Sequence, residues 1–282
     1  MGSTADQIRT SQRELWDRFS TGWEKWDGFV QAINRPAGEA IIQSLDISPD
    51  QQHLEVAAGT GEPGLTIASM APQGKVVLTD ISSGMLAVAA RFATERGLTN
   101  VETRECSADD LPFDDASFDS VSCRFGFMFF PDLARTAAGF ARVVRPGGRA
   151  AAVVWAGPES NLWATLPTGA ISSEVEMPAP DPDGPGMFRC AGPGFMTELF
   201  EGAGFSDVRE HDVPIELVAD SADQYWSMVT ELTGPVVAIL ASVDDATRGR
   251  ITDKVLGAAR EHESDGKLRL GGMARCVVGT KS

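Results

Sequence analysis

The sequence predicts an α/β protein built on a seven-stranded, mostly parallel sheet with helices on both faces. Two observations support this fold class. Between residues 53 and 155, short apolar segments alternate with amphipathic ones, and such alternation favours parallel strands joined by crossover helices. A glycine-rich turn separates the first of these strands from the helix that follows it. The 282 residues are enough for one large domain with insertions.

The individual elements follow from periodicity and from turn residues, in chain order. Helices are expected where apolar residues recur every three to four positions, and strands where short apolar runs end in turn residues. The predicted strands are 53–58, 75–80, 100–105, 118–123, 149–155, 207–217 and 268–279. The predicted helices are 5–45, interrupted at Pro36, then 63–70, 83–96, 132–145, 194–203, 221–241 and 244–263.

The predicted domain organisation is an N-terminal helical cover over residues 1–48 and a main domain over residues 49–282. Two insertions interrupt the main domain, near 158–195 and 221–263. The first contains the run MPAPDPDGPGMFRCAGPG, and such a density of proline and glycine is typical of a loop or lid.

Composition argues against several kinds of partner. The net charge of −16 disfavours nucleic acid and anionic membranes, because both require a basic surface. We expect no membrane span, since no run of 18 apolar residues occurs, and no metal site, since the four cysteines lie far apart. The start MGSTADQIRTSQ lacks the basic and apolar regions of a signal peptide. A cytoplasmic protein, monomeric or homodimeric, is therefore expected.

The turn after the first strand, Gly59-Thr60-Gly61-Glu62-Pro63-Gly64, matches the G-x-G-x-x-G pattern of Rossmann-like nucleotide sites. Its glycines allow a ligand to approach the backbone closely. A dinucleotide fits poorly, because Pro63 removes an N–H group from the helix start and because Glu62 and Glu55 would place negative charge beside a pyrophosphate. S-adenosylmethionine (SAM) has no phosphate and carries a sulfonium and an amino group, so nearby carboxylates favour it.

Asp80 ends the second predicted strand, about 20 residues beyond the glycine turn, where its two oxygens can accept both hydroxyls of a ribose. The alternative is that Asp80 caps the following helix. Met85 suits the face of an adenine, and the alternative is an ordinary core residue.

Five segments occur in a characteristic order. They are LEVAAGTGEPG (54–64), TDISSGML (79–86), SADDLPFDDASFDSV (107–121), RFGFMFFPD (124–132) and RVVRPGGR (142–149). In these segments the chain resembles the class I SAM-dependent methyltransferases, and most closely the branch of the ubiquinone/menaquinone biosynthesis C-methyltransferases. The resemblance covers residues 54–155, with weaker agreement to residue 217 and at 268–279.

The resemblance implies SAM as the cofactor and assigns positions to hold it. These are Glu55, Ala57, Gly59 and Gly61 at the methionine end, Asp80 at the ribose, Ile81 and Met85 beside the adenine, Ser107 and Ala108 at the adenine edge, and Arg124 near the ligand. Two positions depart from the family pattern. Ala57 replaces the usual first glycine, and Ser107 replaces the usual Asp or Asn for the adenine amino group, a role that Asp109 could fill.

The substrate site is expected beside the cofactor, at the carboxyl ends of the strands, under the N-terminal helices and the 158–195 insertion. Aromatic residues concentrate in these covering elements, which favours an apolar or aromatic small molecule; the alternative is that they are plain core. Three tryptophans fall on one helical stripe that we expect to face the cofactor, namely Trp16, Trp23 and Trp26. The aromatic residues near the expected site also include Phe125 and Phe129 after the fourth strand. The residues assigned to the substrate are Trp16, Trp23, Phe127, Met128 and Trp155.

The sequence therefore predicts an enzyme that transfers a methyl group from SAM to a carbon, oxygen or nitrogen of a small metabolite. No catalytic base is evident, because His53, His211 and His262 occupy positions typical of structural or solvated residues. Positioning and desolvation are then the expected sources of rate. Two alternatives are a methyltransferase-fold protein that binds SAM without methyl transfer and an NAD(P)-dependent oxidoreductase.

Overall fold

The computed structural model describes residues 4–177 and 184–282. Its strands are β1 (Gln52–Val56), β2 (Lys75–Asp80), β3 (Val101–Glu105), β4 (Phe118–Arg124), β5 (Val144–Trp155), β6 (Phe205–Ala219), β7 (Glu263–Ser264) and β8 (Lys267–Lys281). Its helices are α1 (Ala5–Leu45), α2 (Gly64–Met70), α3 (Ser83–Glu95), α4 (Leu133–Val143), α5 (Leu162–Ser172), α6 (Phe195–Gly202), α7 (Ala222–Leu232), α8 (Gly234–Ser242) and α9 (Asp245–Arg260).

The sheet has the strand order β3-β2-β1-β4-β5-β8-β6, and the short β7 pairs with β8. Strands β1 to β5 pair in parallel, whereas β8 runs antiparallel to both β5 and β6. The predicted α/β fold with a mostly parallel sheet is therefore confirmed. The two-residue β7 adds an eighth strand that the sequence did not predict, since so short a segment shows no periodicity.

Helix α1 is continuous over 41 residues, where the sequence predicts an interruption at Pro36. Proline removes one main-chain hydrogen bond and is unfavourable inside a helix. Packing on both sides of Pro36 compensates: Ile33 contacts the core before it, and Ala37 and Ile41 are buried after it.

Two predicted boundaries were wrong, and local backbone preferences explain both. The segment 221–241 divides into α7 and α8, because Thr233 is extended (φ −97°, ψ 94°) as the N-cap of α8, whose first turn contains Pro235. Helix α4 ends at Val143 rather than 145, and β5 begins before Pro146-Gly147-Gly148. The register of β5 against β4 shifts at this point, as expected for a strand that absorbs extra residues.

The stretch 158–194 was predicted as a loop or lid, but α5 occupies residues 162–172 within it. Pro167 and Ile171 are buried on its inner face, and α5 packs against α9. Residues 178–183, which include three of the prolines in this stretch, lie outside the described part of the chain.

Buried apolar side chains form two clusters. The first lies between the sheet and its flanking helices and includes Leu54, Val121 and Phe140. The second joins α1, α5, α7, α8 and α9 to the C-terminal end of β6 and the N-terminal end of β8. Helix α1 contributes to both, through Ile41 to the first and Val30 to the second. Within the described ranges, no helix has the length and apolar character to cross a membrane.

Candidate active site

A cleft of about 970 Å³, including the open solvent at its mouth, lies at the carboxyl ends of β1, β2 and β4. Strand β1 lies between β2 and β4 in the sheet, so the chain crosses to the two sides of β1 in opposite directions. Such reversal points are where open α/β sheets bind ligands. Residues of α1, including Trp16 and Trp23, line the cleft together with these strand ends.

The turn after β1 forms the floor of the cleft. Ala57 and Gly59 both hold left-handed backbone conformations, with φ of 55° and 54°. A Cβ at Gly59 would meet nothing within 4 Å, so this position leaves room for a ligand against the backbone. Gly126 approaches from the far side, where a Cβ would lie 2.9 Å from the Ala57 side chain.

Gly61 does not line the cleft, contrary to its predicted role at the methionine end of SAM. Its φ is 116°, and an added Cβ would lie 2.7 Å from Leu65 Cδ1. Gly61 therefore allows the turn to pack against α2 rather than making room for a ligand.

Asp80 lies at the end of β2 and faces the glycine turn. Its two oxygens accept hydrogen bonds from the main-chain N–H groups of Gly59 and Ser82, each 2.9 Å long. Burial raises the pKa of Asp80 to about 6, although these hydrogen bonds favour the anion. The cap of α3 is Ser82, whose hydroxyl accepts from the Met85 N–H, so helix capping does not explain Asp80.

The predicted adenine residues come together at one end of the cleft. Ile81, Met85, Ser107 and Ala108 all line it, and Met85 and Ala108 are otherwise buried. Cys106 lines the cleft as well, and burial raises the pKa of its thiol to about 11, so it is a neutral side chain at physiological pH.

Asp109 does not line the cleft, because both of its oxygens are engaged behind Ser107. Arg9 of α1 donates from Nε to Asp109 Oδ1 at 3.1 Å and makes a second contact to Oδ2, while the Ser107 hydroxyl donates to Oδ1. Burial opposes the charge, but these hydrogen bonds hold the pKa of Asp109 below its ordinary value. The carboxylate thus fixes α1 to the adenine end.

Further contacts attach α1 to the loop that follows β2. Asp17 accepts from the Ser82 hydroxyl at 2.5 Å and from the Gly84 N–H at 3.1 Å. Arg13 donates to the Ile81 carbonyl at 3.2 Å. Helix α1 is therefore held by polar contacts directly over the loop that follows β2.

At the opposite end, α1 contacts the glycine turn and β4. Gln31 accepts from the buried Arg124 guanidinium at 2.8 Å and donates to Asp27 and Thr60. Thr60 also donates to Asp27 at 2.7 Å. Burial lowers the pKa of Arg124, against the attraction of nearby carboxylates including Glu55, but an arginine remains a cation at physiological pH.

Glu55 is fully buried beneath the cleft and does not line it, contrary to the prediction. Its Oε2 contacts the Ser122 hydroxyl and His53, and His53 also bonds to Ser120 at 2.7 Å. Among the described residues, Glu55 Oε1 has no hydrogen-bond partner. Glu55 therefore lies beneath the glycine turn without forming the surface of the cleft.

The aromatic wall of the cleft differs from the predicted one. Trp16 and Trp23 line the cleft as predicted, joined by Phe125 and Phe129. Trp16 makes edge contacts with Trp23 and Phe129, at ring separations of 5.9 and 5.5 Å. Trp26 turns away, since its indole N–H donates to Glu231 of α7.

Three predicted substrate residues were wrong as cleft residues. Phe127 and Met128 are fully buried in the first cluster, because the short 3-10 helix after β4 turns them inward. Trp155 stacks on Phe125 at 4.1 Å and supports the wall from behind. Of the 158–195 insertion, no described residue lines the cleft, so α1 provides its cover.

Sequence reasoning missed the polar side chains that α1 contributes. Arg9, Gln12, Gln31 and Asn34 line the cleft beside the two tryptophans. Together with Trp16 and Trp23 these residues are spaced by three, four, seven, eight and three positions, which places them on one helical face. The sequence analysis assigns a stripe of tryptophans to this face and makes no assignment for the polar residues beside them.

No group in the described lining is placed to act as a general base on an acceptor. It includes no histidine, lysine or tyrosine. Its two carboxylates are already engaged: Asp80 by main-chain N–H groups, and Glu62 by Arg96 and Thr66. The arrangement fits SAM, since it offers an open turn at Gly59, an acceptor for a ribose at Asp80 and a cation near the methionine end.

Comparison with known proteins identifies the family. The family model described as a methyltransferase domain matches residues 54–148. The chain is 33% identical over 217 residues to the nocamycin O-methyltransferase of Saccharothrix syringae, covering 69% of this chain and 78% of that protein. It is 40% identical over 110 residues to the demethylmenaquinone methyltransferase of Thermus thermophilus, covering 39% of this chain and 49% of that protein. The chain therefore spans about half the length of this quinone relative. The chain belongs to the SAM-dependent methyltransferases, and SAM is its cofactor.

Solved structures show the same fold. The YcgJ protein of Bacillus subtilis matches with a TM-score of 0.57 at 20% identity, covering 87% of this chain and 97% of that one. The [4+2]-cyclase SpnF matches with a TM-score of 0.61 at 18% identity, covering 99% and 97%. The Haemonchus contortus phosphoethanolamine N-methyltransferase 2, solved with S-adenosylhomocysteine, matches with a TM-score of 0.57 at 14% identity, covering 99% and 60%.

Proposed function

We propose that this enzyme transfers the methyl group of SAM to an acidic oxygen of a small aromatic molecule. The observation that carries the proposal is an aromatic cleft wall without a group placed, among the described residues, to remove a proton. An acceptor that is already an anion at neutral pH, such as a carboxylate or an acidic enol, needs no base. Transfer then forms an O–CH3 bond while the electron pair of the S–CH3 bond stays on sulfur.

The extent of similarity supports an oxygen acceptor. The relative named as an O-methyltransferase matches over 217 residues, about twice the 110 residues matched by the Thermus quinone relative. A match of that length extends beyond the 95 residues, 54–148, of the methyltransferase domain. We therefore weight the O-methyltransferase more heavily for the acceptor.

Different residues of the cleft hold different parts of SAM. In this proposal Asp80 accepts the ribose hydroxyls, and Arg124, held by Gln31, pairs with the methionine carboxylate. The turn at Ala57 and Gly59 gives room for the methionine part. The adenine lies against Ile81, Met85, Ser107 and Ala108. Glu55 and Gly61 support this surface from behind.

The aromatic wall orients the acceptor and excludes water from it. Trp16, Trp23, Phe125 and Phe129 present flat apolar surfaces that suit an aromatic ring. Alignment of the acceptor oxygen with the methyl group, in a cleft from which water is displaced, is the main source of rate.

SAM with an isotopically labelled methyl group tests the proposal. The protein is incubated with aromatic carboxylic acids and acidic enols, and in parallel with amines and unactivated phenols of matched size. Mass spectrometry should find the label as a methyl ester or enol ether. Label on nitrogen or carbon contradicts the oxygen acceptor, and SAM binding without transfer to any acidic acceptor contradicts the proposed reaction.

A further inference from the structure

Asn34 is a polar residue of the cleft whose side-chain amide has no partner in the fold. It lies on the buried face of α1 with Val30 and Gly38, is 8% exposed and lines the cleft. Within the described ranges its amide makes no hydrogen bond, and the fully enclosed atoms without a partner are Trp23 Nε1 and Glu55 Oε1. The amide of Asn34 therefore keeps an accessible surface, and because the residue lies on the inner face of the helix, that surface faces the cleft.

The other polar side chains that α1 contributes to the cleft are already engaged. Arg9 pairs with a carboxylate, Gln12 accepts from an indole, and Gln31 accepts from a guanidinium. Amide groups with so little exposure usually find hydrogen-bond partners. An amide that is accessible from the cleft and has no partner in the described protein is therefore suited to contact a ligand.

The guanidinium of Arg124 lies beside Asn34. Gln31, three residues earlier on α1, accepts from Arg124 at 2.8 Å, and a Cβ at Gly38, four residues later, would lie 3.7 Å from Arg124 Nη1. Residues three and four apart share one face of a helix, so Asn34 lies on the face that packs against Arg124. Among the described residues no carboxylate forms an ion pair with this guanidinium, which leaves it able to pair with a ligand.

We propose that Asn34 binds the amino-acid end of SAM together with Arg124, and thereby selects SAM over adenosyl thioethers that lack this end. The inference rests on the proposed placement of SAM, with its methionine end at Arg124. A side-chain amide offers both a donor and an acceptor. An amino acid presents a carboxylate to the donor and an ammonium group to the acceptor, so it can satisfy both atoms of the amide.

The charges around Arg124 favour an amino acid over a simple anion. Glu55, Glu62 and Asp27 lie close enough to attract the guanidinium, and the same charges repel a carboxylate placed beside it. The ammonium group of an amino acid offsets this repulsion, whereas the carboxylate of an aromatic acceptor has no such group beside it. The cofactor is therefore the expected ligand of Asn34, and the acceptor is expected at the aromatic wall.

Two matched ligands and two matched variants test the inference. S-adenosylhomocysteine and methylthioadenosine share the adenosine and the sulfur, but only the first carries an amino acid. Calorimetry should show that Asn34→Ala weakens S-adenosylhomocysteine on the order of tenfold and changes methylthioadenosine by less than about twofold. Gln12→Ala is the control, because it removes an amide from the same helix and cleft beside Trp16. It should change both affinities by the same factor.

A charged variant separates the two halves of the amino acid. Asn34→Asp keeps the shape of the side chain but replaces the donor with an anionic oxygen. It should weaken S-adenosylhomocysteine more than Asn34→Ala does, because it repels the ligand carboxylate. The decarboxylated analogue of S-adenosylhomocysteine retains the ammonium group, so Asn34→Asp should bind it at least as tightly as the unaltered protein does.

Three outcomes overturn the inference. Equal weakening of both ligands by Asn34→Ala would show that the residue only supports the shape of the cleft, and unchanged binding of both would show that it contacts neither. Weaker binding of benzoate to the protein saturated with S-adenosylhomocysteine, with unchanged affinity for S-adenosylhomocysteine itself, would assign Asn34 to the acceptor. The labelled-methyl assay judges the proposed reaction separately, because it follows transfer to an acceptor rather than binding of the cofactor.

A measurement on the unaltered protein covers the case in which Asn34→Ala fails to fold. The chain has three asparagines, Asn34, Asn100 and Asn161, so protein labelled with nitrogen-15 asparagine gives three sets of side-chain amide signals. Replacing Asn100 and Asn161 in turn assigns them. S-adenosylhomocysteine should move the Asn34 side-chain signals, and methylthioadenosine should leave them in place. Signals that move equally with both ligands, or with neither, contradict the inference.

Discussion

The raised pKa of Asp80 predicts that cofactor binding depends on pH. Burial raises the pKa of Asp80 from 3.8 to about 6. Ribose hydroxyls need an ionised acceptor, so affinity for S-adenosylhomocysteine should fall as the pH drops below about 6. The contribution of Asp80 to the stability of the unliganded protein should instead increase as the pH falls. Because the folded pKa is raised, this contribution of Asp80 is fully present below pH 3.8 and is lost as the pH rises through about 6.

Calorimetric titration across this range, with Asp80→Asn beside the unaltered protein, checks the coupling. The variant should bind S-adenosylhomocysteine more weakly at neutral pH by on the order of 1–3 kcal/mol and lose the pH dependence. Asp110→Asn, at an exposed neighbour of the adenine end, is the control. Unchanged affinity in Asp80→Asn would remove the ribose from this residue.

Ala57 occupies a backbone conformation that glycine adopts more easily. A left-handed φ of 55° costs a residue with a Cβ about 1–2 kcal/mol. Ala57→Gly should raise the free energy of unfolding by roughly 0.5–1 kcal/mol, after allowance for the greater freedom of glycine in the unfolded chain. Denaturant unfolding measures this, with Ala116→Gly (φ 52°) as a control outside the cleft. Destabilisation in Ala57→Gly alone would show that its methyl contacts outweigh the backbone cost.

The two glycines of the turn should respond differently to an added methyl group. Gly59→Ala places its Cβ in the open cleft and should weaken S-adenosylhomocysteine binding on the order of tenfold or more. Gly59→Ala also places a Cβ at a φ of 54°, which costs about 1–2 kcal/mol, whereas Gly61→Ala in addition places its Cβ 2.7 Å from Leu65 Cδ1 and should destabilise the fold more. Calorimetry and thermal unfolding of both variants separate the two effects. Undiminished binding by a folded Gly59→Ala variant would mean that the cofactor does not approach this turn.

Among the secondary-structure elements, α1 covers the cleft, and the contact between Arg9 and Asp109 should hold it in place. Arg9→Gln breaks the contact with Asp109 and leaves that carboxylate buried without its cation, which is unfavourable by on the order of 1–3 kcal/mol. Amide hydrogen exchange over residues 5–20 should then accelerate, and S-adenosylhomocysteine should dissociate faster. Arg18→Gln is the matched control, because Arg18 is exposed on the same helix. Equal exchange in both variants would show that other contacts hold the helix.

How far the sequence predicts each element depends on how local its determinants are. Strand β2 matches its predicted bounds, 75–80, because an apolar run ending in Asp80 needs no distant contact to define it. The same reason explains why Asp80, Ile81 and Met85 line the cleft as the sequence predicts. The docking of α1 rests on residues far away in sequence, such as Asp109 and Thr60, which periodicity does not reveal.

Side-chain direction was the other source of error. Phe127 and Met128 follow β4 closely enough to suggest the cleft, but a 3-10 helix sends them into the core while Phe129 reaches the wall. A strand would alternate its side chains, and an α-helix would space them by three or four. A single tight turn follows neither rule, so the sequence identified the segment but not the residue.

At the scale of the whole molecule, α1 joins the two hydrophobic clusters into one folding unit. We therefore expect a single cooperative unfolding transition in calorimetry. S-adenosylhomocysteine at 100 times its dissociation constant should raise the free energy of unfolding by about 2.7 kcal/mol. The same concentration should stabilise Asp80→Asn less. Two separate transitions, of which the ligand shifts only one, would show that the clusters unfold independently.

The shared helix also determines how such an enzyme can be recombined. Helix α1 lines the cleft at one face and packs against α7 at another, through Trp26 and Glu231. A chimera that imports only α7 to α9 from a relative would pair them with a foreign helix face. A working chimera should therefore exchange two separate parts of the gene together, the first 48 residues and the segments that encode α5 and α7 to α9. The glycine turn and Asp80 would remain those of the original protein.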